Sequence, residues 1–190
     1  MVNAIYFHGI HGNTQKSIAP FLEKELNKFN INLLHPKFFK DGDAEYENFK
    51  KVANTLAQKN LINENTIIIA HSIGNSFAIK FLQEMNLKPF AYISLAGYCK
   101  MFPLNNEKTK MQIKNALPSK KQLDYVSKNI KTRISLYSND HLISEEILKD
   151  FSTQINSKLY YVENKGHFGR KLGIQELPEL IEILKENKLV

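Results

Sequence analysis

Three short stretches carry the residue types that nucleophilic catalysis needs. Ser72 lies in Ala70-His71-Ser72-Ile73-Gly74, Asp140 in Ser138-Asn139-Asp140, and His167 in Gly166-His167-Phe168. A serine hydroxyl is a poor nucleophile at neutral pH and needs a base within hydrogen-bond reach to take its proton during attack. An imidazole can accept that proton and return it to a leaving group, so His167 is the expected base. The Asp140 carboxylate would hold the ring in the right tautomer and stabilise the imidazolium that forms.

Residues so distant in the chain need a scaffold to bring them together. Thr66–Ala70 reads as a short buried strand, Ile-rich and not alternating. Ile73, Phe77 and Phe81 then recur at helical spacing, with Ala78 and Leu82 filling in. So abrupt a change from strand to helix requires small residues around the turn, which Ala70 and Gly74 supply. Further strands are predicted at Val2–Phe7, Asn30–Leu34, Phe90–Ala96, Thr132–Ser138 and Lys158–Glu163. Helices are predicted at Ile18–Phe29, Asp43–Asn60, Lys120–Asn129, Ser144–Gln154 and Gln175–Asn187, and Lys100–Ile130 is the least regular portion. Six strands separated by helices imply right-handed βαβ units and an α/β fold, a three-layer α/β/α sandwich around a six-stranded parallel sheet. No repeat or linker-like break interrupts the pattern, so residues 1–190 are read as a single domain.

Ligands of such sheets bind beyond the C-terminal strand ends, near the switch in strand order. His8-Gly9-Ile10-His11-Gly12 follows the first strand, His71-Ser72-Ile73-Gly74 the third and Gly97-Tyr98-Cys99 the fourth. Asn139-Asp140-His141 follows the fifth strand and Gly166-His167-Phe168 the last. A Ser, an Asp and a His therefore fall on one sheet edge, in that chain order.

The turn "AHSIG" resembles the Gly-x-Ser-x-Gly nucleophile elbow of α/β-hydrolases, whose catalytic residues follow in the order Ser, Asp or Glu, His. "YFHGIHGN", "LYSNDHLIS" and "NKGHFG" resemble the other three signatures of that superfamily, and the likeness covers essentially the whole chain. One departure is Ala70, where the family pattern usually has Gly. The compact length, without a large cap insertion, resembles the small lidless serine hydrolases of the YdeN and retinoblastoma-binding protein 9 type. That resemblance implies an esterase, working without metal or cofactor on a small ester, thioester or activated amide through an acyl-enzyme. It also implies an oxyanion hole formed by the backbone N–H groups of Ile10 and Ile73. The segment "GYCKMFPL" offers Tyr98, Met101 and Phe102 for a mostly apolar substrate wall, with Phe168 beside the base and His11 facing the pocket.

Each assignment has a plainer rival. Ser72 could be a helix N-cap, and Asp140 a turn residue in "SND". His141 is a second imidazole, but it cannot easily face Ser72 while its neighbour Asp140 does. Glu145 and Glu146 are alternative acids that fit better at a helix start. His8 reads as structural, and the His8–His11 pair has no carboxylate or cysteine set to complete a metal site. Two other functions use the same residues: an idle fold serving as a binding module, and acyl transfer to an acceptor other than water.

Composition narrows the rest. The net charge of +7 comes almost wholly from lysine, since only Arg133 and Arg170 are arginines. Base readout and bidentate phosphate clamping favour Arg, so nucleic acid is not expected as a partner. No apolar run approaches the ~20 residues of a membrane span. Cys99 is the only cysteine and the first residues contain no signal-peptide pattern, so a cytoplasmic protein is expected.

Overall fold

A computed structural model describes residues 2–10, 12, 17–40, 42–169 and 173–190. Six strands form one sheet, namely β1 (Asn3–Phe7), β2 (Asn32–Leu34), β3 (Thr66–His71), β4 (Ala91–Leu95), β5 (Thr132–Tyr137) and β6 (Lys158–Tyr161). They lie in the order β2-β1-β3-β4-β5-β6, and every neighbouring pair is parallel. The helices are α1 (Ala19–Asn27), α2 (Tyr46–Gln58), α3 (Ile73–Glu84), α4 (Glu107–Ala116), α5 (Lys120–Asn129), α6 (Glu145–Gln154) and α7 (Pro178–Glu186).

The sheet winds outward from β1 in both directions. Right-handed crossovers then place α1 on one face and α2, α3, α5 and α6 on the other. The three-layer sandwich expected from the alternating pattern is the architecture observed. None of the helices of the described residues is long and apolar enough to cross a membrane.

Burial explains why the central elements form. All six residues of β3 are buried, as a strand covered on both faces must be. α3 buries nine residues from Ile73 to Leu82 and so packs into the structure almost all round. Phe49 of α2 meets Phe7 and Phe77 at ring separations of 5.0 and 5.5 Å, filling the layer between α2, α3 and the sheet. β2 and β6 are short edge strands and are correspondingly more exposed than β3.

One helix was not expected. Residues within Lys100–Ile130 that read as irregular contain α4. Lys108, Lys110 and Lys114 break up its apolar face, only Ile113 and Ala116 are buried, and Met111 points to solvent. The start of α4 is fixed by Asn106, whose side chain accepts a 2.8 Å hydrogen bond from the Thr109 N–H.

The register brings the C-terminal ends of β1 and β3 level, with Phe7 opposite Ala70. Gly9-Ile10 and Ser72 thus emerge side by side where the strand order switches. α3 can start there only because residue 74 has no side chain. A Cβ on Gly74 would lie 2.8 Å from the His8 carbonyl oxygen and closer still to that of Phe7. Both obstacles are backbone of the β1 end, which cannot swing aside. We therefore expect Gly74→Ala to destabilise the fold by about 2–3 kcal/mol through overpacking, measured by urea unfolding. A loss below about 0.5 kcal/mol would contradict so close an approach of α3 to β1.

Candidate active site

Ser72 occupies the single residue between β3 and α3. Its backbone sits at φ 54° and ψ −128°, a conformation that non-glycine residues rarely adopt and that costs about 1–3 kcal/mol. This turn lifts the side chain above the strand ends. Its Oγ lies 2.9 Å from His167 Nε2. On the other side of the ring, His167 Nδ1 donates to Asp140 Oδ2 at 2.6 Å. That bond fixes the tautomer of the neutral ring, leaving Nε2 as the acceptor for the serine hydroxyl.

Asp140 is held from two directions. Its Oδ1 accepts the backbone N–H groups of Leu142 at 2.8 Å and Ile143 at 3.3 Å, while its side chain is wholly out of solvent. Burial works to raise its carboxyl. Hydrogen bonding to His167, the charge of that ring and the two backbone donors outweigh it and hold the acid below its ordinary value. His141, the neighbouring imidazole, is exposed at the cleft rim.

The loops carrying Asp140 and His167 are tied to each other. Ser138 Oγ donates to Asn139 Oδ1 at 2.8 Å and accepts the Lys165 N–H at 2.9 Å. Asn139 Oδ1 also accepts the Gly166 N–H at 3.4 Å. Ser138 and Asn139 looked like turn residues only, and no pattern within the chain linked them to residues 165 and 166.

His71 also went unassigned in the sequence. It is 8% exposed, and its Nε2–H donates to the His167 carbonyl at 2.7 Å, so β3 holds the loop of the base directly. Burial, reinforced by the nearby His167 charge, pushes its pKa down to about 3. The ring is therefore a neutral donor. His8, buried at the end of β1, donates from Nδ1 to the Gly9 carbonyl at 2.9 Å and accepts the Phe38 N–H on Nε2 at 3.1 Å. It orients the loop of Ile10, as a structural histidine would.

A cleft of about 1020 Å³ opens over Ser72 and His167. Ile10, Phe102 and Phe168 line it, whereas Tyr98 and Met101 do not. Tyr98 is fully buried and meets Phe102 edge-on at 5.0 Å, backing the wall rather than forming it. Met101 is half-buried and packs against the core. His11 lies outside the described residues. Leu104, Thr109 and Ile113 complete the wall, so the unexpected α4 supplies part of it. α4 also reaches the loop of Ile10 through Gly42, whose carbonyl accepts from Gln112 Nε2 at 3.5 Å and whose N–H donates to the Ile10 carbonyl at 3.2 Å. Ile73, the other expected oxyanion donor, is the first residue of α3, where backbone N–H groups have no partner within the helix. Among the described residues, no group of three or more His, Cys, Asp or Glu side chains is placed to hold a metal ion.

The buried His71 has a consequence for stability. Its folded pKa lies below the ~6.5 of an unfolded histidine, so between those values the unfolded chain binds the extra proton. The stability it confers is complete above about pH 6.5 and is lost as pH falls toward 3, by at most about 1.4 kcal/mol per pH unit. His71→Gln should flatten the slope of unfolding free energy between about pH 4.5 and 6.5 by up to one proton's worth. An unchanged slope would mean that His71 is not held neutral.

Comparison with known proteins agrees with this architecture. Over 126 residues, 65% of this chain, the sequence is 26% identical to YdeN, a protein of Bacillus subtilis strain 168 named as a hydrolase. The matched stretch spans 64% of that relative's length. The crystal structure of the Bacillus subtilis ydeN gene product superposes with a TM-score of 0.86 at 21% identity, covering 98% of each chain. Est1E of Butyrivibrio proteoclasticus, solved with ferulic acid bound, superposes at 0.73 with 16% identity, covering 100% of this chain and 88% of that one. The family model described as serine hydrolase matches residues 42–186, a stretch that includes positions 72, 140 and 167. With most of its length matched by that model, the chain belongs to the serine hydrolase family.

Proposed function

We propose that the protein is a carboxylesterase that cleaves a small ester, thioester or activated amide through an acyl-enzyme on Ser72. The observation that carries this reading is the continuous hydrogen-bonded series from Ser72 Oγ through His167 to Asp140, at 2.9 and 2.6 Å, facing the cleft. In the first step His167 Nε2 takes the serine proton while Oγ attacks the substrate carbonyl. Asp140, charged and shielded, stabilises the imidazolium. The oxyanion is received by the N–H groups of Ile73 and Ile10, where a single donor is worth about 3–4 kcal/mol, and the N-terminal end of α3 adds a favourable dipole. His167 then protonates the leaving group, and the same residues in reverse admit water to release the acid.

The fold neighbour Est1E, with ferulic acid bound, supports an ester as the substrate class. The apolar wall around Phe102, Leu104, Ile113 and Phe168 suits an acyl group. Acyl transfer would use the same intermediate with a different acceptor. A second nucleophile is not needed. Burial and hydrogen bonding to Asp150 push the Cys99 thiol up to about 12, leaving it unreactive. We further place the protein in the cytoplasm, as a single domain whose one cysteine forms no internal disulfide.

A fluorophosphonate probe should label the wild-type protein on the peptide containing Ser72, and Ser72→Ala should abolish labelling. No labelling of folded protein between about pH 7 and 9 would favour an idle binding module. Since hydrogen bonding and the neighbouring ring hold the Asp140 carboxyl below its ordinary value, protonation of that group should not limit kcat/KM for an ester at neutral pH. Asp140→Asn should lower kcat by roughly 10³-fold or more. A rate within a few-fold of wild type would send the search to Glu145 or Glu146.

A further inference from the structure

Beneath the Ser72 turn lies a polar group that the proposed chemistry leaves unused. Asn75, one turn into α3, and Tyr92, in the middle of β4, are both 0% exposed. Asn75 Nδ2 donates to two carbonyl oxygens, that of Ser72 at 3.2 Å and that of Leu95 at 3.1 Å. Its backbone N–H donates to the same Ser72 oxygen at 2.9 Å. The Tyr92 hydroxyl donates to Asn75 Oδ1 at 3.0 Å and to the Asn75 carbonyl at 3.2 Å. Both amide hydrogens and the amide oxygen therefore have partners, and the orientation is fixed. A flipped amide would set Oδ1 against two carbonyls and Nδ2 against a donor.

The choice of carbonyl is what gives this group a role. Leu95 O also accepts the Ser72 N–H at 3.0 Å, so Asn75 grips the strained residue at its own oxygen and at the oxygen that holds its nitrogen. The Ser72 C=O and the Ile73 N–H belong to one planar peptide unit and point in opposite directions. Whatever fixes that oxygen below the turn also fixes the direction of that hydrogen above it. We propose that Asn75, braced by Tyr92, is a positioning residue that aims the Ile73 N–H at the substrate oxyanion by clamping the Ser72 carbonyl. The proposal rests on Ser72 acting as the nucleophile.

Removing the side-chain clamp leaves the reacting groups and the cleft wall in place but loosens the peptide unit, whose oxygen keeps only the backbone N–H of residue 75. The loss belongs to the tetrahedral state, in which the oxyanion forms, and not to ground-state binding. Tyr92→Phe keeps the buried ring and deletes only the hydroxyl; Asn75→Ala deletes both side-chain bonds of the clamp and leaves the backbone N–H of residue 75 on the Ser72 oxygen. The experiment measures the fluorophosphonate labelling rate at Ser72, kcat and KM for an ester, and affinity for a trifluoromethyl ketone, which binds as a tetrahedral adduct. For Asn75→Ala we expect labelling rate, kcat and ketone affinity to fall together by roughly tenfold or more, with KM within about twofold. Tyr92→Phe should give a smaller loss of the same pattern.

A purely structural role would lower thermal stability and leave these rates unchanged in the folded protein. Rates and ketone affinity within about twofold of wild type in folded Tyr92→Phe would overturn the clamp, whether or not Asn75→Ala folds. Absence of labelling in the wild type would instead overturn the assignment of Ser72 as the nucleophile, and with it the clamp.

Discussion

The rest of the site depends on one backbone conformation, the positive φ at Ser72. An unconstrained chain would relax it, since a side chain in that region is disfavoured by about 1–3 kcal/mol. It persists because both sides of the turn are buried and already committed. β3 is hydrogen-bonded into the middle of the sheet between β1 and β4, and α3 is covered almost all round. The step between them is limited to one residue, and Gly74 lets the start of α3 rest against the carbonyls of Phe7 and His8. The strain at Ser72 is thus opposed by core packing that extends well beyond the site.

The same economy governs His8, His71 and His167, which the surrounding hydrogen bonds make chemically different. His8 donates from Nδ1 and accepts on Nε2, so it acts as a fixed spacer between β1 and residue 38. His71 donates from Nε2 to the loop of the base and is held neutral by burial. His167 alone has its Nδ1 on a carboxylate and its Nε2 on a hydroxyl at the cleft. An imidazole can serve as donor, acceptor or both, and here the partner decides which. That selection places the carboxylate–imidazole pair of His167 and Asp140 within hydrogen-bond reach of Ser72.

Much of this was legible in the sequence because strands and nucleophile leave strong local marks. The Ile-rich run at Thr66–Ala70, the helical spacing from Ile73 to Phe81 and the small residues flanking the turn are all dictated by burial on both sides. The sequence order of residues 72, 140 and 167 pointed to one sheet edge, because parallel strands deliver their ends to a common edge, and the three side chains meet there. What remained illegible depends on contacts between distant segments. Ser138 and Asn139 pair with residues 165 and 166, and Asn75 pairs with Tyr92 and Leu95, without any periodic trace. The wall was misread for a related reason. In "GYCKMFPL" the alternation of apolar residues does not say which side of the loop faces the cleft, and Tyr98 and Met101 turn inward while Phe102 turns out. α4 escaped because its lysines serve solvent rather than a packed face.

Chemistry and selection are therefore built from different materials. The Ser72 turn is held by hydrogen bonds to Leu95 at the end of β4, and the loops of Asp140 and His167 are tied to each other and, through His71, to the end of β3. The wall from Phe102 to Ile113 lies in the crossover between β4 and β5, the one connection that contains two helices. α4 buries only two of its residues and meets the rest of the site through light contacts, Gln112 to Gly42 and the exposed Lys108–Asp43 pair at 3.1 Å. An exposed pair of that kind adds little to stability. Changes to the inward residues of this crossover would reshape the cleft while leaving the strained turn and its hydrogen bonds as they are, which makes α4 the element through which substrate preference can vary independently of the proposed reaction. The link through Gly42 to the Ile10 carbonyl limits that independence, because a shift of α4 large enough to move Gly42 would be felt by the loop of Ile10.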